Sequence, residues 1–286
     1  MTSKRKRIAL GGVVAAVTAG ALVVVQNSFA ATIPGARTRA GAEATGATGS
    51  PATGRAGSSA TGRAGTSGSG RAGVSSGGSA GTRAAGCSDV KIIVTRASTE
   101  APGTGIIGSL ARAVTRDSKQ SVTTEATDYP ALLNPYPPSV AAGTRALTKQ
   151  LTDTTAACPA TKIVLMGYSQ GAHVIGDVLA GTGRVAGFTR ADAIHAGIAD
   201  RVVAVVLMGD PRFVPGKPFN AGTSRTRGLF PRGADAALDA FADRTQSFCD
   251  TGDNFCAGGR NVAVHLGYTR KYNRVAGAFV LDRIGG

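Results

Sequence analysis

"TKIVLMGYSQGAHVIGDVLAG", residues 161–181, changes its periodicity at a single serine. From Ile163 to Met166 the chain is continuously apolar, as a strand covered on both faces should be. Beyond Ser169, Val174, Ile175, Val178 and Leu179 recur at the i, i+1, i+4, i+5 spacing of an amphipathic helix. Between the two lies Gly167-Tyr168-Ser169-Gln170-Gly171, a G-x-S-x-G. In a chain with 41 glycines the pentapeptide alone means little, and its position gives it weight. A sharp strand-to-helix turn lifts a serine hydroxyl out at the end of a sheet. The flanking glycines allow that turn, and the helix N-terminus supplies N–H groups and a positive field for an oxyanion. The competing reading is a serine that merely N-caps an ordinary helix.

The same alternation extends in both directions. "VKIIVTRA" (90–97) and "VVAVVLMGD" (202–210) are further apolar runs, and "SVTTEAT" (121–127) and "RTQSFC" (244–249) are weaker strand candidates. "GSLARAVTRDSKQ" (108–120) and "SVAAGTRALTKQLTDTTAAC" (139–158) have helical spacing, with Val140, Leu147 and Leu151 on one face. Near the C-terminus Val275, Phe279, Val280 and Ile284 repeat the pattern. Strands alternating with helices of this length predict an α/β fold, a parallel sheet of about five strands with helices on both faces.

Residues 1–30 differ from everything after them. Lys4-Arg5-Lys6-Arg7 precedes an apolar run from Ile8 to Val25 and a small-residue site at Ser28-Phe29-Ala30. That is the pattern of a secretory signal peptide, with the mature chain expected to begin near Ala31. An uncleaved anchor is the alternative, but Gly11, Gly12, Thr18 and Gly20 interrupt the run. Residues 31–86 are mostly Gly, Ala, Ser, Thr and Arg, with Ile33 and Val74 the only large apolar side chains. Arg55, Arg63 and Arg71 recur at intervals of eight, each followed by Ala-Gly. Such a segment cannot bury enough surface to offset the entropy of ordering it, and it reads as a disordered linker. Residues 87–286 then form one catalytic-sized domain.

The net charge of +15 divides as +4 in residues 1–30, +5 in 31–86 and +6 in the domain. This balance suits a weak association with anionic cell-surface polymers. No aromatic residues interleave with the linker arginines, so nucleic acid is not expected as a partner. All four cysteines, Cys87, Cys158, Cys249 and Cys256, lie in the domain. An even count behind a secretion signal points to two disulfides and an extracellular protein. Cys249 with Cys256 is the sterically easy short-range pair, which leaves Cys87 with Cys158. A zinc site is not expected, because no close Cys-x-x-Cys or Cys–His pair exists.

A serine needs a neighbouring base, and the chain has three histidines. His173 lies one turn beyond Ser169 on the same helix and reads as a helix-surface residue. His195, in "ADAIHAGIAD", reads as loop or helix surface. In folds with a serine elbow the order is Ser, acid, His, and only His265 leaves room for an acid between. The acid candidates are Asp210, which otherwise caps a turn before Pro211, and the two aspartates of "CDTGDNFC" (249–256). Asp250 would sit at the pinched base of a Cys249–Cys256 loop and Asp253 near its tip; the tip position favours Asp253 and leaves Asp250 open.

"RASTE" (96–100), "CPATKIVLMGYSQGA" (158–172) and "CDTGDNFC", followed by a histidine nine residues on, together resemble the cutinase family of secreted serine esterases. The resemblance spans nearly all of 87–286 and includes the acetylxylan esterase branch. It implies an α/β-hydrolase-like three-layer sandwich, Ser169 as nucleophile, Asp253 as acid and His265 as base. It further implies an oxyanion hole from Ser98 and Gln170, the latter through its backbone N–H, and the two disulfides named above. Ala97 stands where the family often has Gly, and residues 211–243, together with "MGDPRF", look closer to the acetylxylan esterase side.

The implied reaction is acyl transfer from an ester to Ser169 and then to water, with no metal or organic cofactor. "YPALLNPYPPS" (129–139) and Val262, Val264 and Leu266 are candidates for an apolar rim, favouring cutin or short-to-medium aliphatic esters. Leu132 and Leu133 suit a core equally well. Acetylated xylan and phospholipid are the alternative substrates, and a surface-binding module using the basic linker is the non-enzymatic one. The substrate partner is thus a polyester or lipid-like ester, and a monomer is expected.

Overall fold

The computed structural model describes residues 86–285. The expected signal peptide, and the expected linker up to residue 85, lie outside the described residues. Six strands form one sheet in the order β2-β1-β3-β4-β6-β5, every neighbouring pair parallel. They are β1 (Val90–Thr95), β2 (Val122–Ala126), β3 (Lys162–Tyr168), β4 (Val202–Met208), β5 (Asn220–Ala221) and β6 (Thr245–Phe248). The helices are α1 (Gly108–Asp117), α2 (Tyr136–Ala157), α3 (Gln170–Ala180), α4 (Ala196–Ala199), α5 (Val262–His265) and α6 (Tyr268–Ile284).

The period-two alternation of a strand divides the core into two layers. Val90, Ile92 and Val94 of β1, with Val164 and Met166 of β3, meet Leu110 and Val114 of α1 and Val280 and Ile284 of α6. Ile93, Ile163, Leu165, Val205 and Leu207 meet Val140, Leu147 and Leu151 of α2 and Val174, Ile175 and Val178 of α3. Strands read as continuous apolar runs because both faces are covered. The exception is β2, whose central residues are exposed, as an edge strand permits.

Both disulfides form. Cys87–Cys158, with Cα atoms 5.7 Å apart, ties the start of β1 to the end of α2. Closing a loop of that length constrains the unfolded chain by about 4 kcal/mol in the chain-entropy account. Cys249–Cys256, at 5.9 Å, closes the loop after β6.

Three expectations need correction. The sheet has a sixth strand, the two-residue β5, which lies within the insertion after β4 and pairs with β6. Two residues are too few for a periodic signal. His173 is not on the helix surface but fully buried, because Tyr136 of α2, Phe188 and the segment 211–232 pack over its side of α3. Val275 is 49 % exposed although it fits the apolar spacing of α6.

Candidate active site

Ser169 follows the last residue of β3 and stands at φ 51°, ψ −115°, a conformation that costs a non-glycine residue about 1–3 kcal/mol. Its N–H still continues the sheet, donating to Met208 O at 2.8 Å, while its carbonyl accepts from His173 N–H at 3.1 Å. The two flanking glycines are required by contact. A Cβ on Gly171 would fall 1.9 Å from Thr95 O at the end of β1, and one on Gly167 would fall 2.7 Å from Ala172 N. The serine is therefore held at the carboxyl end of the central strand by a turn that only this spacing of glycines fits.

Gln170 directly follows Ser169, and Ser98 lies three residues beyond Thr95, whose carbonyl the turn approaches at Gly171. Gln170 is the first residue of α3, where backbone N–H groups have no intrahelical acceptor. Its side chain is occupied elsewhere, donating to Leu132 O at 2.9 Å and accepting from Ser139 Oγ at 3.0 Å. Ser98 Oγ is buried and has no hydrogen-bond partner among the described residues. The loop that carries it is braced by Glu100, whose carboxylate accepts from Ala97 N–H and Ile106 N–H, both at 2.7 Å. Arg96 braces the other side, donating to Glu100 O at 3.0 Å and Thr127 O at 3.3 Å. Ala97 needs no glycine-like backbone; the positive φ of this loop, 68°, is at Thr99.

The loop closed by Cys249–Cys256 folds its second aspartate inward. Asp253 is fully buried, and its carboxylate accepts four hydrogen bonds. Oδ1 takes the N–H groups of Phe255 (2.6 Å) and Cys256 (2.9 Å). Oδ2 takes His265 Nδ1 and the Tyr268 hydroxyl, both at 2.8 Å. Burial alone pushes this carboxyl up, but the hydrogen bond and charge of His265 and the two loop N–H groups outweigh it and hold it below the usual carboxylate range.

His265 ends the one-turn helix α5, whose N-terminus is capped by the Asn261 side chain through Ala263 N–H and Val264 N–H. Tyr168, the residue before Ser169, donates its hydroxyl to the His265 carbonyl. Phe255 lies against the imidazole with ring centres 4.4 Å apart, and Gly209 abuts its other side, where a Cβ would come within 2.8 Å of Cε1. The end of β4 and the disulfide loop thus fix the ring that β3 and the serine turn adjoin.

The other acid candidates are engaged differently. Asp250 accepts from Lys271 Nζ (2.7 Å), Tyr272 OH (2.7 Å) and Thr223 N–H (3.0 Å) and does not touch His265. Asp210 accepts the Arg212 N–H at 2.9 Å, as a turn aspartate does. His195 is exposed and caps α4, accepting from Gly197 N–H at 3.2 Å.

His173 belongs to a buried cluster that sequence reasoning did not foresee. Asp177 Oδ1 accepts from Arg212 Nη1 (2.5 Å) and Arg232 Nη1 (2.9 Å), and its Oδ2 stands 3.2 Å from His173 Nε2. Tyr136 OH lies 3.1 Å from His173 Nδ1. Burial holds this imidazole below its ordinary range. Burial opposes the charge of Asp177, but His173 and the two guanidinium groups prevail and keep it ionised. The cluster clamps the insertion after β4 onto the helix that Ser169 begins.

Four large apolar side chains remain exposed around these elements. Leu132 (46 %) and Leu133 (52 %) lie on the loop bound by Gln170, and Val262 (42 %) and Leu266 (58 %) flank His265. Leu132 and Leu133 are thus surface residues, not core. A cavity of about 520 Å³ lies elsewhere, beside Cys87–Cys158, and its lining includes two ion pairs, Lys91–Glu125 and Lys149–Asp153.

The sequence matches the family described as Cutinase over residues 86–284. The chain belongs to the cutinase family. It is 34 % identical over 207 residues to an acetylxylan esterase of Hypocrea jecorina, covering 69 % of this chain and 68 % of that protein. It is 33 % identical over 207 residues to cutinase 11 of Verticillium dahliae, covering 69 % and 70 %. The catalytic core domain of acetyl xylan esterase from Trichoderma reesei superposes with a TM-score of 0.65 at 32 % identity, covering 69 % of this chain and 99 % of that one. As a member of this family the protein is a carboxylic ester hydrolase, on an α/β-hydrolase fold with two disulfides.

Proposed function

We propose that the protein is a secreted esterase that hydrolyses cutin-like or short-to-medium-chain aliphatic esters through an acyl-enzyme on Ser169. His265 takes the Ser169 proton as the hydroxyl attacks the ester carbonyl, then returns it to the departing alcohol. Asp253 orients the imidazole and stabilises its charged form. Ser98 Oγ and the Gln170 N–H receive the oxyanion, each worth about 3 kcal/mol in comparable sites. Water, activated by the same histidine, releases the acid. The observation that carries this reading is a histidine whose Nδ1 is held 2.8 Å from a buried carboxylate and whose carbonyl is bound by Tyr168, the residue before a strained serine turn. A buried Ser98 hydroxyl with no partner among the described residues supports the oxyanion role.

The exposed leucines at 132, 133 and 266 and Val262 support the aliphatic reading, because a rim of this kind gains free energy by covering an acyl chain. Acetylated xylan is the second reading, favoured by the identity to the Hypocrea jecorina acetylxylan esterase. In this account residues 1–30 are removed on export, 31–86 serve as a linker, and 87–286 act as the catalytic domain, a monomer. Two disulfides fit an oxidising destination.

The test is an acyl-length series of p-nitrophenyl esters beside acetylated xylan, run on the parent and on Ser169→Ala. Loss of about 10⁴-fold or more in the variant, with butyrate to octanoate exceeding acetate in the parent, is the expected result. Unchanged turnover by Ser169→Ala would sink the mechanism. A preference for acetyl would move the substrate to xylan.

A further inference from the structure

Tyr268 touches the candidate triad without belonging to it. It is the first residue of α6, three residues after His265, and it is buried. Its hydroxyl donates to Asp253 Oδ2 at 2.8 Å, the same oxygen that holds His265 Nδ1. The phenolic oxygen in turn accepts from Asp250 N–H at 2.9 Å and lies 3.2 Å from Cys256 Sγ. One hydroxyl thus joins both ends of the disulfide loop to the carboxylate that faces the base.

We propose that Tyr268 is a positioning residue that fixes the Asp253 carboxylate and weakens its pull on the His265 proton, so that the enzyme stays active further into the acid range. This rests on the triad assignment above. An anion shared between two donors gives less to each. When His265 becomes charged, its gain from Asp253 depends on the electron density left on Oδ2, and a phenol that draws on that oxygen lowers the gain. The donor hydrogen also presents positive charge toward the imidazolium. Both effects disfavour protonated His265, which cannot act as base.

Few other groups face this pair. From β3 comes Tyr168, whose hydroxyl is committed to the His265 carbonyl. From the disulfide loop come Asp250, paired with Lys271 and bound by Tyr272, and the uncharged Phe255. Gly209 closes the β4 side. Glu100 is tied to its own loop through the N–H groups of Ala97 and Ile106. Burial, and then the Asp253 charge, push the Tyr268 phenol well above its usual range, so it remains a donor throughout.

The experiment is the pH dependence of kcat/KM for p-nitrophenyl butyrate, with the full chain and with Tyr268→Phe. The acid-side midpoint is expected to rise by about half a unit to one unit, since a unit corresponds to only about 1.4 kcal/mol of changed interaction. Tyr272→Phe, which removes hydroxyl contacts to Asp250 and Lys271 but none to Asp253, is expected to leave it in place. Replacing Tyr268 with 3-fluorotyrosine, a stronger donor of nearly the same shape, is expected to lower the midpoint. A purely structural role would change melting temperature and kcat with the midpoint fixed, and that outcome would overturn the proposal. Should Tyr268→Phe fail to fold, the fluorotyrosine protein decides by the same criterion. Ser169→Ala separates the two levels: if it remains active the triad reading has failed, and if it is inactive while the midpoints coincide only the role of Tyr268 has.

Discussion

The Arg232 guanidinium lies where Gly176 leaves α3 without a side chain: a Cβ at position 176 would stand 1.9 Å from Arg232 Nη2. That guanidinium is bound to Asp177 and to the His173 carbonyl, so it has nowhere to withdraw. Gly176→Ala therefore has to break a buried ion pair or tilt the helix. A loss of roughly 3 kcal/mol is expected, despite the better helix propensity of alanine. For a domain of this size that lowers the melting temperature by about 6–12 °C. A variant as stable as the parent would show that Arg232 is not fixed there.

Asp250 and Asp253 are three positions apart, and their substitutions are expected to separate cleanly. Asp253→Asn leaves the imidazole with an amide in place of a carboxylate, and kcat should fall about 10⁴-fold. Asp250→Asn loses the Lys271 and Tyr272 contacts and should cost stability with less than about tenfold in kcat. Steady-state kinetics on both, with melting curves as control, would expose a reversed order.

Ser98→Ala should reduce kcat about 10²–10³-fold, the usual cost of one oxyanion donor. Its Oγ makes no hydrogen bond in the resting protein, so the melting temperature should hardly change. A loss of stability without a loss of rate would place Ser98 in the scaffold instead.

Stability should decline in two stages on acidification. His173 has a lowered folded-state value, so below about pH 6.5 the unfolded chain takes up a proton that the folded chain refuses. Asp177, Asp250 and Asp253 are all depressed in the fold. Their contribution is complete above the unfolded value of about 3.9 and is lost as the pH falls through their lower folded values. Melting temperatures should thus slope gently from about pH 6.5 to pH 4 and steeply below. A flat profile down to about pH 3 would contradict the cluster as described.

Much of this was legible in the chain, for reasons tied to particular residues. β1, β3 and β4 announce themselves because burial on both faces leaves no room for polar side chains. The serine turn is local, so its strand, glycines and helix all fall within one stretch of sequence. Spacing along α3 places His173 at the surface because it says nothing of what folds over it, and its cover comes from Tyr136, Phe188 and residues 211–232, all distant in sequence from the helix face. The contact of His265 with Asp253 and not Asp250 depends on how the disulfide loop turns its carboxylates, which spacing alone leaves open. Tyr268 offered only a hint: a buried-type aromatic one turn beyond the histidine, at the start of a helix.

Cys87 lies just before β1, and the bond to Cys158 pins it near the amino ends of β1 and β3. Ser169 stands beyond the opposite end of β3, seven residues or about 23 Å along the strand. The chain therefore enters the domain at the end of the sheet away from the serine. Chain ahead of Cys87 can thus be shortened or exchanged at a point remote from the serine.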